Sequence, residues 1–107
     1  KTHLDVYSYV GIDEIPIDKV LFLQADQKYV KAYMADSFVT INDSIKSLEA
    51  EFKQLFVRIH RNALVAMDSI EGLTKIDDRL VVKIKRLGIE PIVSRRASYL
   101  RQLLPLL

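Results

Sequence analysis

Apolar and polar residues alternate in short runs along most of this chain. That period of two favours strands, and it lengthens to helical spacing in only two places. Leu4 to Val10 alternates loosely, holds Val6, Tyr7 and Tyr9, and predicts a first strand. Gly11 permits a turn. Ile12, Ile15 and Ile17 bracket Pro16, so an edge strand or a kinked connection is expected, then a turn or single helical turn at Asp18-Lys19. Val20-Leu21-Phe22-Leu23 is an unbroken apolar run, the pattern of a strand buried on both faces. Gln24 to Lys28 is abruptly polar and reads as a loop. Tyr29 to Met34 restores a strand with Tyr29, Lys31 and Tyr33 on one face, Asp36-Ser37 turns, and Phe38 to Ile41 completes a hairpin meander.

Helical spacing first appears at Ile45, Leu48 and Phe52, behind the N-cap candidates Asn42 and Asp43. The expectation is an amphipathic helix of about three turns near 43–53, with Glu49 four residues before Lys53 in the favourable order. Phe56 to Ile59 and Ala63 to Met67 then read as strands flanking a polar knot. Asp68-Ser69 suits a short turn, and Ile70 to Ile76 is a strand interrupted by Gly72. After a turn at Asp77-Asp78, Arg79 to Arg86 shows the cleanest alternation, Leu80, Val82 and Ile84 against Val81, Lys83 and Lys85. Leu87-Gly88 turns into Ile89 to Val93. Ser94 is a suitable N-cap for a closing helix near 95–104, with Ala97, Leu100 and Leu104 as its apolar face, Leu103 widening it and Pro105 stopping it. The fold class is therefore mainly β, with two helices.

Length narrows this to one domain, and a chain of this size can bury roughly 65% of its unfolded surface. With no cysteine there is no disulfide, thiolate metal site or cysteine nucleophile, which suits a reducing cytoplasm. No apolar run approaches the ~20 residues that cross a bilayer. The chain begins at Lys1 without a methionine, so a domain excised from a longer protein, spanning 1–107, is expected. Its small positive net charge conceals an asymmetry. Acids outnumber bases up to Leu55, and after Leu55 bases, mostly arginine, outnumber acids. Arginine suits bidentate contact with phosphate and guanine, so the imbalance points to nucleic acid.

Two places concentrate that charge. Between Phe56 and Met67, the residues Arg58, His60, Arg61 and Asn62 crowd donors beside a core strand, where cations repel and must be solvated or matched by an anion. The plain reading is a solvated hairpin tip; the functional one is an anion-reading loop, with DNA as first candidate. Arg95-Arg96 sits in the expected first turn of the closing helix, at the positive end of its macrodipole, at an expected cost of roughly 0.3–1 kcal/mol each. Local rules are broken in this way at functional sites, although both side chains can also bend into water. Catalysis has little to work with. His3 and His60 are the only histidines, no phosphate-cradling glycine loop or Gly-x-Ser-x-Gly occurs, and Asp13-Glu14 and Asp77-Asp78 are adjacent pairs that in a strand face opposite ways. No enzyme activity, metal or cofactor is expected.

Arg58-Ile59-His60-Arg61-Asn62 followed by Leu64-Val65 resembles the signature of the LytTR DNA-binding domain of bacterial response regulators, and Ile92-Val93-Ser94-Arg95-Arg96 resembles its second signature. Asn62 and Ala66 depart from the family's usual Ser and Asn. The likeness extends to the buried strand with its polar loop and the helix after it, in the same order. Ala25-Asp26-Gln27-Lys28-Tyr29-Val30 and Arg61-Asn62-Ala63-Leu64-Val65 are similar to the alginate-biosynthesis regulator branch. The resemblance implies elongated antiparallel sheets that read double-stranded DNA with sheet-edge loops, here Gln24–Tyr29, Arg58–Asn62 and Ser94–Arg96. Arg61 and Arg95 are then the expected base contacts, with Lys28, Gln27 and Asn62 as further ones. Arg58, Arg96, Lys83 and Lys85 are expected on phosphates or as positioning groups. His60 either joins them or braces its own loop. The mixed-charge helix of Lys46, Glu49, Glu51 and Lys53 is expected to cover the core. The family pairs this domain with an upstream receiver domain and binds promoter repeats as a homodimer. The competing expectation is a β-rich interaction or ligand-sensing domain, which accounts for Tyr7, Tyr9, Tyr29 and Tyr33 but not for arginines at separate turns. An RNA binder would need stacking aromatics on an exposed sheet face, for which Tyr29 and Tyr33 are candidates.

Overall fold

The computed structural model describes residues 2–8 and 11–106, which form three antiparallel sheets drawn out into a body of 45 × 26 × 25 Å. Strands β1 (His3–Ser8) and β2 (Gly11–Pro16) pair as a ribbon that runs into a 3₁₀ turn at Ile17–Lys19. The expected strand end at Tyr9 and Val10 lies outside the described residues. The central sheet takes β3 (Phe22–Asp26), β4 (Tyr29–Tyr33), β5 (Phe38–Ile41), β6 (Phe56–His60) and β7 (Ala63–Ala66) in the order β5-β4-β3-β7-β6. Helix α1 (Ile45–Glu51) crosses between β5 and β6. A separate hairpin of β8 (Ile70–Ile76) and β9 (Arg79–Ile84) precedes the closing helix α2 (Ala97–Leu103).

Both faces of the central sheet are buried, which is why its middle strands read as unbroken apolar runs. On one face Leu23, Val30, Ala32, Ile41, Phe56 and Leu64 pack against Ile45, Leu48 and Phe52 of α1 and against Leu4, Ile17 and Val20. On the other, Phe22, Val57, Ile59, Ala63 and Val65 pack against Val82, Ile84, Val93 and Leu103. Removing the buried methyl groups of Leu64, which has no exposed surface, would cost about 2–5 kcal/mol.

Several local expectations change. The polar stretch after Leu23 stays in the ladder through Asp26, because Gln24 and Ala25 pair with Lys31 and Val30, so the loop shrinks to Gln27-Lys28. Helix α1 is capped by Ser44, not by Asn42 or Asp43: the Ser44 hydroxyl accepts from the Ser47 amide at 3.0 Å, and the Ser47 hydroxyl donates to the Ser44 carbonyl at 3.0 Å. The helix makes about two turns, since Phe52 must stay buried while the chain swings back into β6 four residues later. Lys53 is thereby off the helix, and the Glu49–Lys53 spacing is lost. Gly72 does not break β8 but adjoins a bulge between Ile70 and Gly72. At Asp77-Asp78 both residues have positive φ, 50° and 64°, as the tight hairpin turn requires. Strand β9 ends at Ile84 instead of Arg86, where the chain turns with φ of 61° at Arg86.

The closing helix starts at Ala97, so Arg95 and Arg96 precede its first turn instead of occupying it. The Ser94 hydroxyl accepts from the Arg96 amide at 3.3 Å, a turn that spends the serine two residues early. The Arg96 carbonyl then accepts the first helical bonds, from Tyr99 at 3.1 Å and Leu100 at 3.2 Å. Ala97 is exposed, Leu100 packs partly buried against the cluster that holds Leu103, and Leu103 itself is buried. Beyond Leu103 the chain passes Pro105 as a 3₁₀ turn.

Candidate nucleic-acid interface

Three segments from distant parts of the sequence meet at one end of the central sheet. The Gln27-Lys28 turn joins β3 to β4, and every residue from Asp26 to Tyr29 is exposed. Gln27 holds a φ of 51°, which a non-glycine residue adopts at a cost. The Arg61-Asn62 turn joins β6 to β7 alongside, tied to β3 by a 2.8 Å bond from the Ala25 amide to the Asn62 carbonyl. The third segment is fixed by the Ser94 amide, which donates to the Ile59 carbonyl at 2.8 Å. His60, Arg61, Ser94, Arg96 and Tyr99 line one shallow cleft there.

Within this junction the cations divide. Arg61, Arg95 and Arg96 are exposed, and among the described residues the Arg95 side chain has no hydrogen bond or ion pair. Arg58 is the opposite case. Its side chain is 18% exposed, its Nη1 donates to Glu49 Oε1 at 2.8 Å, its Nε donates to the His60 carbonyl at 3.3 Å, and its Nη2 donates to the Arg61 carbonyl. A bulge between Arg58 and His60 opens β6 at this point. The His60 ring braces the turn as well, its Nδ1 accepting from the Asn62 amide at 3.2 Å. In the tautomer that makes this bond, Nδ1 accepts and Nε2 carries the ring proton.

Two acids at this end are engaged from within, whereas Asp77 and Asp78, in the hairpin turn next to Arg79, are exposed. Asp26 pairs with Lys31 at 3.4 Å, and Glu49 pairs with Arg58. Lys31 also lies over the Phe38 ring, 5.2 Å from its centre. Tyr33 stacks on Phe22 at 5.6 Å and meets Phe38 in a tilted contact at 5.5 Å, which engages it within the protein, while Tyr29 is exposed.

Not every expected site residue joins this end. Lys83 is exposed at the penultimate position of β9, opposite Gly72 and toward the end that carries Lys85. Lys85 is at the far end of the sheet: its amide donates to the Ser69 carbonyl at 2.8 Å, and the Ser69 hydroxyl lies 3.1 Å from the carbonyl of Leu21, at the opposite end of β3 from Gln27. Conversely, the Val93 amide donates to the Leu80 carbonyl, so exposed Arg79 belongs to the near end of the hairpin beside Ser94. Tyr99 and Arg79 were not singled out in the sequence. A lone tyrosine on a short helix and one more cation in a strand carry no local mark, and only the strand pairing brings them to the site.

A mainly β module that gathers arginines from separate turns at one sheet edge, with no helix charged to lie in a groove, defines a loop-reading nucleic-acid-binding class. The family model described as the LytTr DNA-binding domain matches residues 11–105, and the chain belongs to that family. The chain is 44% identical over 75 residues to the positive alginate biosynthesis regulatory protein of Pseudomonas aeruginosa, a match that covers 70% of this chain and 30% of the relative. This chain therefore spans about a third of the length of that relative. A solved LytTr DNA-binding domain from Bacillus cereus superposes with a TM-score of 0.81 at 22% identity, over 99% of this chain and 96% of that one, and it shows the fold. Among the described residues no helix is long and apolar enough to cross a membrane.

Proposed function

We propose that this domain reads sequence in double-stranded DNA as the output module of a two-component transcriptional regulator. The convergence of exposed arginines from two remote segments on the Gln27-Lys28 turn supports this most directly. Arg61 and Arg95 take base edges, where a bidentate arginine on guanine O6 and N7 discriminates by about 1–3 kcal/mol. Gln27, Lys28 and Asn62 make the further base contacts, Gln27 and Asn62 by their amides and Lys28 by its ammonium. Arg96 neutralises phosphates, and Arg79 joins it from the near end of the hairpin. His60 braces its turn through Nδ1 and offers Nε2–H to the backbone. In the longer regulator a receiver domain lies upstream, and two copies occupy repeated sites in the cytoplasm.

The test is selection of duplexes from a random pool by the domain, with a salt titration of the enriched duplex beside random DNA. A recurring motif is expected, and the logarithm of affinity should fall with the logarithm of salt at about 0.9 per phosphate contact. No binding to any duplex at low salt overturns the reading.

A further inference from the structure

Arg58 turns away from the surface that its neighbours in the motif build. Val57 and Ile59 bury in the cluster that faces α2, so strand alternation sends Arg58 to the α1 face, where it pairs across β7 with Leu64. There its guanidinium meets the three acceptors described above, one on α1 and two on the backbone of the 60–62 turn. The donors of a guanidinium form a rigid planar fork. Bound at three points, that fork sets both the position and the tilt of the turn from which Arg61 projects. Glu49 fixes the fork from its other side. It is carried by a helix whose Leu48 is fully buried, and its own side chain is 30% exposed.

Such support bears on one kind of contact more than another. A bidentate pair to a base edge requires placement within about 0.5 Å and 10–20°. A phosphate contact by a mobile cation tolerates far more. We infer that Glu49 and Arg58 are a positioning pair for base recognition: α1 holds Arg58 through Glu49, and Arg58 holds the His60 and Arg61 carbonyls, so that Arg61 leaves the turn in one direction. The inference rests on the DNA reading above and extends it to a helix that touches no DNA.

The experiment uses the 107-residue chain with Arg58→Lys, Glu49→Gln, and the double exchange Glu49→Arg with Arg58→Glu. Lysine keeps the charge and reaches Glu49, but its compact ammonium does not span two carbonyls as well. Four quantities are read: the ratio of affinities for the selected and a random duplex, the salt slope on random DNA, hydrogen exchange at the Ala25 and Asn62 amides, both bonded to the turn, and the melting temperature, which should fall in the single variants. For the single variants the ratio should fall about tenfold, within the range of one lost base contact. The slope should stay unchanged and both amides should exchange faster. In the double exchange the melting temperature should recover while the ratio stays low, because a carboxylate then faces the carbonyls.

Ratios within about twofold of the parent for both single variants overturn the inference. A salt slope lowered by about one contact in Arg58→Lys makes Arg58 a phosphate ligand and also overturns it. Recovery of the ratio in the double exchange reduces the pair to a plain ion pair. A parent domain with no preferred duplex removes the DNA reading and this inference together, whereas a preferred duplex with unchanged ratios removes this inference alone.

Discussion

The two ends of the central sheet hold similar kinds of residue in opposite arrangements. At one end, Lys28, Arg61, Arg95 and Arg96 face solvent while Asp26 and Glu49 are engaged by Lys31 and Arg58, and the exposed acids are Asp77 and Asp78 in the hairpin turn next to Arg79. At the other, Lys19 and Arg86 line clefts shared with Asp18, Asp36 and Asp68, so cations and carboxylates are interspersed around Leu21. A count of lysine and arginine separates the ends poorly; around the turns that carry Lys28 and Arg61, the state of the neighbouring acids separates them better. An interspersed surface has little net field beyond a Debye length of about 8 Å, whereas cations whose acidic neighbours are already neutralised project one.

The largest effects that would break this contrast concern the exposed arginines. Arg61→Ala and Arg95→Ala should each weaken binding to the selected duplex by about 1–3 kcal/mol, with the thermal melt nearly unchanged because both side chains are exposed. Unfolding of either variant would give that arginine a structural role. Arg96→Ala should weaken selected and random duplexes alike, lowering the salt slope by about 0.9. An effect confined to the selected site would move Arg96 to a base. Gln27→Gly should raise stability by about 0.5–1 kcal/mol in a denaturant titration by relieving the positive φ, while it lowers discrimination at the base pair Gln27 meets. Smallest of all, Lys85→Ala should shift stability by less than about 0.5 kcal/mol and leave the salt slope alone. A slope change there would extend the reading surface to the far end.

What the sequence made legible follows the range of the interactions responsible. The buried run at Val20–Leu23 and the alternation expected over Arg79–Arg86 are local patterns, and each marks a real strand, although β3 runs from Phe22 to Asp26 and β9 stops at Ile84. The two signature stretches also stand together as the resemblance implied. The inward turn of Arg58 was less accessible. Its acceptor Glu49 lies nine residues away with a helix end between, and i, i+4 spacing offered Lys53 as a nearer partner. One signal was present: buried Val57 and Ile59 on either side of Arg58 require it to point to the opposite face. The separation of Lys85 from the site was similarly hidden, because alternation places Lys83 and Lys85 on one side of a strand without saying which end of the sheet that strand approaches. The half-and-half charge asymmetry also misleads spatially, since Lys28 and Lys31 from the acidic half belong to the cationic end.

The segment from Leu87 to Arg96 carries two of the exposed arginines and has no regular structure beyond one bridge between Val81 and Ile92. It is moored instead by amide-to-carbonyl bonds, from Val82 to Pro91, from Val93 to Leu80 and from Ser94 to Ile59. Main-chain moorings are indifferent to the identity of the side chains between them. On the proposed reading, a mutation at position 95 should therefore alter what this arm prefers, and one at 96 how tightly it holds, without altering where the arm lies. Over evolutionary time one scaffold can diverge to new promoters through a few surface codons, with no compensating change in its interior.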